Sequence, residues 1–298
     1  KCAIKTSGKE NNMSTNSILN NTLSNTAQRF LDINTQRVGQ SIERVASGIR
    51  TNRASDDVAG SAISDALRSD VRVLRQGVRN LNDGISLINV VEGALNEQGG
   101  ALIRLKELAT QGASGTIGDF ERQTLQLEVS SLVAEIDRIA ATTEFNGRTL
   151  LDGSLASSVQ ASEQASIQLG VDSQSASRIN LNTELDLSAS NSTQLGIDSL
   201  SVSTSEDART ALEAIDTALS TLTFARGRAG AVQNRFAKSL GTVAVSIENL
   251  TAAVSTIRDA DIAEELAVLT KNQIVAQASV SMVGQTNLSG QNLLGILQ

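Results

Sequence analysis

Apolar residues recur along this chain at alternating steps of three and four, the spacing that keeps one side of a helix apolar for many turns. Leu74, Leu81, Ile88, Leu95, Leu102 and Ala109 take one position of a seven-residue repeat, and Val71, Val78 and Ile85 take its partner. The partner row then reads Glu92, Gly99 and Lys106, so the seam weakens or shifts in its second half. Gly99-Gly100 should cost the helix roughly 1 kcal/mol each relative to Ala, a local soft spot. A second helix is predicted from Leu125, Val129, Leu132, Ile136 and Ile139. A third starts at Leu212, Ile215, Leu219 and Leu222 and continues through Leu240, Val243, Ile247, Leu250, Val254 and Ile257. Thinner stripes run along both ends: Val38, Ile42, Val45 and Ile49 near the start, and Ile262, Leu266, Leu269, Ala276, Val280 and Val283 near the end.

Between about Asn146 and Asp207 the pattern changes to Ser, Thr, Asn, Gln and Gly, with short alternations at Ser166-Ile167-Gln168-Leu169 and Arg178-Ile179-Asn180-Leu181-Asn182. These predict small β-hairpins, with Gly and Asp at the turns. The fold class expected is mainly α: a long antiparallel coiled-coil helical rod with a small β-hairpin region, its N- and C-terminal helices paired. Residues 57–258 would form the rod, with hairpins at about 146–205. Residues 13–56 and 259–298 would form a terminal-helix domain whose stripes are too thin to fold alone, since isolated helices are marginal in water. Such ends become ordered only when neighbours cover them.

Residues 1–12 differ in character from the stretch after Met13, and Lys9-Glu10 back-translates to codons that accommodate a ribosome-binding sequence just ahead of Met13. Met13 is therefore expected as the natural start, with Lys1 to Asn12 a mis-annotated leader or extension; a native N-terminal peptide containing Cys2 would refute this.

Composition narrows the chemistry. Five Phe, no Trp and no Tyr leave a core of Leu, Ile, Val and Ala, and the absence of Pro removes the commonest helix breaker. The net charge of −7 argues against nucleic acid or an anionic membrane as partner, and no apolar run is expected to approach the roughly 18 residues of a span. With no His, a Ser-His-Asp triad and a His metal site are excluded. A lone cysteine, Cys2, excludes an internal disulfide and a Cys-based cluster. Gly112-Ala113-Ser114-Gly115 lacks the lysine of a phosphate loop. The carboxylate pairs Asp56-Asp57, Asp259/Asp261 and Glu264-Glu265 lie near predicted helix ends, where they read as caps and end charges rather than as a catalytic pair. No catalytic residue, cofactor or metal is expected.

Several strings then occur in an order that resembles bacterial flagellin. They are Ser47-Gly48-Ile49-Arg50-Thr51-Asn52 with Asp56-Asp57-Val58-Ala59-Gly60, Asn82-Asp83-Gly84-Ile85-Ser86, Glu92-Gly93-Ala94-Leu95-Asn96-Glu97, Glu135-Ile136-Asp137-Arg138-Ile139 and Glu144-Phe145-Asn146-Gly147. The C-terminal third adds Arg228-Ala229-Gly230-Ala231-Val232-Gln233-Asn234-Arg235-Phe236 and Ile257-Arg258-Asp259-Ala260-Asp261. The resemblance runs from about Ser14 to Gln298, and Leu195-Gly196-Ile197 leads almost directly into the return helix at Glu206, so the variable outer domains of larger relatives are absent.

The resemblance implies a filament-forming structural subunit for swimming motility, exported through the flagellar type III apparatus and placed in the flagellum, outside the cell or in the periplasm. It implies self-assembly as a helical homopolymer, with the flagellar cap, junction proteins and an export chaperone as further partners. Assembly seams would run through Val38, Ile42, Val45, Ile49, Leu74, Leu81, Ile88, Leu95, Leu250, Val254, Ile257, Ile262, Leu266 and Leu269. Arg104, Leu108 and Glu128 resemble the surface that Toll-like receptor 5 recognises in immunogenic relatives. Ser289-Gly290-Gln291-Asn292 departs from the family, where Pro is frequent near the C-terminus. Competing readings are a hook–filament junction protein, a cytoplasmic coiled-coil signalling module, which leaves the Ser/Asn-rich middle unexplained, and a hydrolase.

Overall fold

The computed structural model describes residues 21–296, with side chains as far as Leu288. The suspected leader and Met13 lie outside the described residues, as do the side chains of Ser289 to Asn292. Two compact units result: the described residues up to Ala66 with those from Ala252 onward, and Leu67–Thr251.

In the first unit α1 (Thr22–Ser47) packs against α7 (Ile262–Ile296). Asn21 caps α1 by accepting from the Ser24 amide at 3.0 Å. Gly48 ends it at φ 68°, the left-handed position for which glycine is suited, with its amide on the Arg44 carbonyl. The chain then meets the approach to α7 in a backbone bridge: Arg50 N–H donates to the Arg258 carbonyl and Ala260 N–H to the Gly48 carbonyl. Asp57 accepts from the Gly60 amide at the start of α2 (Val58–Gly112), and Asp261 accepts from the Ala263 and Glu264 amides at the start of α7. The acidic residues near these helix ends thus include two working N-caps.

In the second unit, α2 and α6 (Ser205–Arg258) run antiparallel. Asn89 accepts from Gln233, Lys106 pairs with Asp216, and Ser205 donates to the Ala113 carbonyl, so going up one helix means going down the other. Helix α3 (Asp119–Thr142) comes after a tight turn held by Arg122, whose guanidinium donates to the Gly112 and Ser114 carbonyls and closes the C-terminal end of α2. The predicted row Leu74, Leu81, Ile88, Leu95, Leu102 and Ala109 is buried throughout. Its buried partner row is not Val71, Val78 and Ile85, of which Val78 and Ile85 are only half-buried; it is Gly77, Gly84, Val91, Gln98, Leu105 and Gly112 on the other flank. The helix runs unbroken through Gly99, where an added Cβ would meet Leu222 at 3.3 Å. On α6 the buried row is Ala208, Ala211, Ile215, Ala218, Leu222, Ala229, Val232 and Phe236, with Leu212 and Leu219 on its flanks.

The middle segment carries two antiparallel strand pairs. Strands β1 (Glu144–Phe145) and β2 (Arg148–Thr149) are joined by Asn146-Gly147, both at positive φ, the two-residue turn whose twist suits a hairpin. Strands β3 (Ser166–Gln168) and β4 (Arg178–Asn180) pair with Ile167 opposite Ile179, at the two predicted alternations. After β4 the chain forms no further strand but two short helices, α4 (Leu181–Leu185) and α5 (Ser192–Leu195), because their Asn180 and Asn191 caps hold the first amides. Strand β3 lies so close to α2 that a Cβ on Gly77 would sit 2.4 Å from the Leu169 carbonyl oxygen.

Two buried amides tie the middle segment down. The Gln98 amide donates to the Ile136 and Ser190 carbonyls, while its oxygen accepts from the Ser190 hydroxyl at 2.6 Å. Asn182, fully buried, donates to the Ser154 and Ala156 carbonyls and accepts from the Ala165 amide. Asp186, in the left-handed region at the end of α4, accepts from Ser157 and from Arg228, and these bonds hold its carboxyl at about 2, below the usual range.

Candidate functional site

The α1/α7 pair inverts the usual distribution of side chains. Among the contact positions of a packed helical pair, where large apolar residues ordinarily predominate, α1 presents Ser24, Asn34 and Ser41, all buried, and α7 presents Asn272, Ser279 and Thr286, between half-buried aliphatic residues. The large apolar side chains instead point outward on the flanks. Phe30 is 52% exposed, Ile274 61% and Met282 59%, and Leu23, Ile42 and Val280 are comparably open. Leu23, Phe30, Ala27, Ile274, Ala278 and Met282 line one continuous apolar groove along the pair.

This explains where the predicted seam residues lie. Val38, Val45 and Leu269 sit half-buried along the contact between the two helices, Ile49 is half-buried in the bridge opposite Asp259, and Ile42, Ile262 and Leu266 stand exposed. Leu250, Val254 and Ile257 are half-buried near the end of α6. Leu74, Leu81, Ile88 and Leu95 are covered within the single chain, as part of the second unit's own core. The apolar residues of α7 fall on all sides of the helix rather than on one stripe. A helix apolar all round is one meant to be surrounded.

One stretch of α6 reaches a mean hydropathy of 1.3, enough by length and composition to cross a membrane, which corrects the expectation that nothing approaches a span. In the C-terminal half of α6, Leu240, Val243, Ile247, Leu250, Val254 and Ile257 form one half-buried stripe with Glu248 off it.

Of the three residues resembling a receptor-contact surface, two meet on the outside of the second unit. Arg104 donates to Glu128 and to Glu107, both at 2.9 Å, and these pairs, Glu107 first, raise its affinity for the proton. Leu108 is 1% exposed and belongs to the core beneath them. Among the described residues no group of three or more His, Cys, Asp or Glu is placed to hold a metal ion.

The model of the bacterial flagellin N-terminal helical region matches residues 18–156, and that of the C-terminal helical region matches 212–297. The chain belongs to the bacterial flagellin family. It is 37% identical over 286 residues to the flagellar filament 30.7 kDa core protein of Treponema maltophilum, covering 94% of this chain and 99% of that one. It is 38% identical over 304 residues to a flagellin of Bacillus subtilis, covering 92% and 97%. Among solved structures it resembles a putative flagellar hook-associated protein from Vibrio parahaemolyticus with a TM-score of 0.54, over 68% of this chain and all of that one; at 15% identity the likeness speaks for the fold alone. This flagellin-family chain thus matches its relatives across both helical regions, and its outward-facing apolar flanks lie within them.

Proposed function

We infer that this chain is a structural subunit that polymerises into the bacterial flagellar filament and serves swimming motility. The observation that carries the reading is the outward placement of Phe30, Ile274 and Met282 on a terminal pair whose own seam alternates polar rungs with aliphatic residues. Fully burying one such side chain contributes about 1.5–3 kcal/mol, and little of that is gained inside a single chain. Neighbouring copies supply the missing cover. Burial then offsets the ordering of both helices, which costs roughly 1–2 kcal/mol per residue in backbone freedom alone. The subunit works by packing rather than by catalysis. Secretion by the flagellar export apparatus with a chaperone, addition beneath a cap and contact with junction proteins belong to the same reading.

Seeded growth tests it. Purified chain should elongate sonicated filament seeds, and Ile274→Asp with Met282→Asp should raise the concentration needed for growth by at least about a hundredfold, because each buried carboxylate costs several kcal/mol. Growth of the double variant at the parent's concentration overturns the assembly face.

Recognition of the free subunit by Toll-like receptor 5 would fall on the exposed Arg104–Glu128 pair, with Leu108 supporting it from beneath. Arg104→Ala is expected to lower receptor activation by soluble subunit at least about tenfold, as for an anchoring arginine at an interface. Unchanged activation at equal concentration removes this surface from the reading.

A further inference from the structure

The α1/α7 seam carries a set of hydrogen-bonded rungs with a consistent composition. Asn34 donates to the Ser279 hydroxyl at 2.7 Å, Asn272 donates to the Ser41 hydroxyl at 3.2 Å, and the Ser24 hydroxyl donates to Asn287 at 2.8 Å. From Asn34 to Ser41 is seven residues along α1, and from Ser279 to Asn272 is seven residues back along α7, so successive rungs belong to one antiparallel register. Each of these three rungs joins one asparagine to one serine; a fourth bond, from the Asn21 amide to the Thr286 carbonyl, stands apart at the start of α1. The asparagine comes from α1 in one rung and from α7 in the other two.

The rest of the seam cannot choose a register. Between the rungs lie Leu31, Val38 and Val45 on α1 and Leu269, Ala276 and Val283 on α7, aliphatic residues that repeat every seven positions on both helices. A slip of one repeat would bring aliphatic against aliphatic again. The rungs respond differently. A slip one way sets Asn34 against Asn272, two long amides in a space that holds one. The other way sets Ser41 against Ser279, two hydroxyls too short to span it. Unsatisfied buried polar groups cost more than the net value of the bonds they replace, and a single polar residue in a helical seam is known to specify register at some cost in stability.

We propose that the alternating Asn–Ser rungs are the register code of the terminal helices: they select one axial alignment of the two chain ends, while contributing too little to close the pair alone. The backbone bridge between Gly48–Arg50 and Arg258–Ala260 holds the same alignment where α1 ends and α7 begins; the rungs carry it along both helices. A copy with slipped ends would present Phe30 and Met282 out of step with its neighbours, so the code protects the regular face on which the filament reading rests.

The test exchanges the rung partners in the full chain, with Cys2→Ser and a reporter cysteine pair. Leu31→Cys with Val283→Cys reports the native register, and Leu31→Cys with Ala276→Cys reports a slip of one repeat. In filaments of the otherwise unaltered ladder, disulfide yield should favour the native pair at least about tenfold. Exchanging only the α1 members, Asn34→Ser with Ser41→Asn, makes the slipped alignment the one that pairs Ser with Asn, and the preference should fall at least about tenfold or reverse. Adding Asn272→Ser and Ser279→Asn restores complementary rungs and should restore the native preference. If the half-exchanged chain does not polymerise, restoration of growth by the second exchange supports the code equally. An unchanged yield ratio in the half-exchanged chain, or failure of the full exchange to restore what the half exchange lost, overturns it. Failure of the unaltered ladder to form filaments strikes the filament reading instead.

Discussion

Phe236→Ala is expected to lower the stability of the Leu67–Thr251 unit by about 3–5 kcal/mol. The chain has five Phe and no Tyr or Trp, and Phe236 is the largest of its fully buried side chains. Its position is also unusual. Across from it α2 has Gly84, where an added Cβ would lie 3.0 Å from the ring and 2.2 Å from the Ile167 side chain on β3. The ring therefore fills the space left where α2 carries no side chain and the strand pair lands. Gly84 has no side chain to move into the hole, and Ile167 is held in the β3–β4 pair, so the cavity contribution adds to the lost burial. Phe224→Ala is the matched control. Phe224 is mostly exposed, with Arg228 stacked over it at 4.7 Å, so its loss should cost under about 1 kcal/mol. Amide exchange of the buried α2 residues in the full chain reads both variants. A cost below about 1 kcal/mol for Phe236→Ala would mean that the helices do close over the hole and that the ring is not what props α2 and β3 apart.

The same contact shows what was legible in the sequence and what was not. The row from Leu74 to Ala109 was readable because large aliphatic residues at every seventh position leave few alternatives. Its partner row was not. Three of its six members are glycines, which carry no hydrophobic signal, and they are buried because other backbone or side chains come close: Leu169 at Gly77, Ile167 at Gly84 and Val202 at Gly112. Val71, Val78 and Ile85 make the better row when apolar size alone is counted. The alanines of α6 give a weak signal for the same reason. The Asn146-Gly147 hairpin could have been placed from the turn chemistry that two consecutive positive φ values demand, which would have started the strand region two residues earlier.

Along the terminal helices the expected stripes divide. Val38, Val45, Leu269, Ala276 and Val283 face the partner helix, whereas Ile42, Ile262, Leu266 and Val280 face away from it. A hydrophobic pattern cannot distinguish a face covered by the same chain from one awaiting another copy, because both bury apolar area in the end. The seam's serines and asparagines could not be recognised as contacts at all, since polar residues on a helix ordinarily read as solvated. What reveals them is their antiparallel pairing across the two ends of the chain, a long-range relation that no local window contains.

Asn182→Ala is the second change with a large expected effect, about 2 kcal/mol or more. Each of its polar atoms is engaged: the amide nitrogen gives one proton to Ser154 and one to Ala156, both at 2.9 Å, and the oxygen takes the Ala165 N–H at 2.8 Å. One side chain therefore binds three backbone groups of the single segment between β2 and β3, whose own strand-type pairing is limited to the Leu155–Leu187 bridge. Truncation leaves the Ala165 amide without its partner in a place where the Asn side chain is fully covered, an omission that costs about 1–3 kcal/mol, and strips one of two bonds from each carbonyl, Ser154 keeping Arg148 and Ala156 keeping Val159. Asn182→Asp separates hydrogen bonding from size. It keeps the acceptor for Ala165 but replaces two donors by a charge facing two carbonyl oxygens, so at neutral pH it should be less stable than the alanine variant. The loss should appear as faster amide exchange at Ala165 and through the 154–165 segment, while the α1 and α7 amides remain unchanged. Equal stability of the parent and Asn182→Ala, or an aspartate variant more stable than the alanine one at neutral pH, would show that the amide fills space there and that other contacts hold the segment.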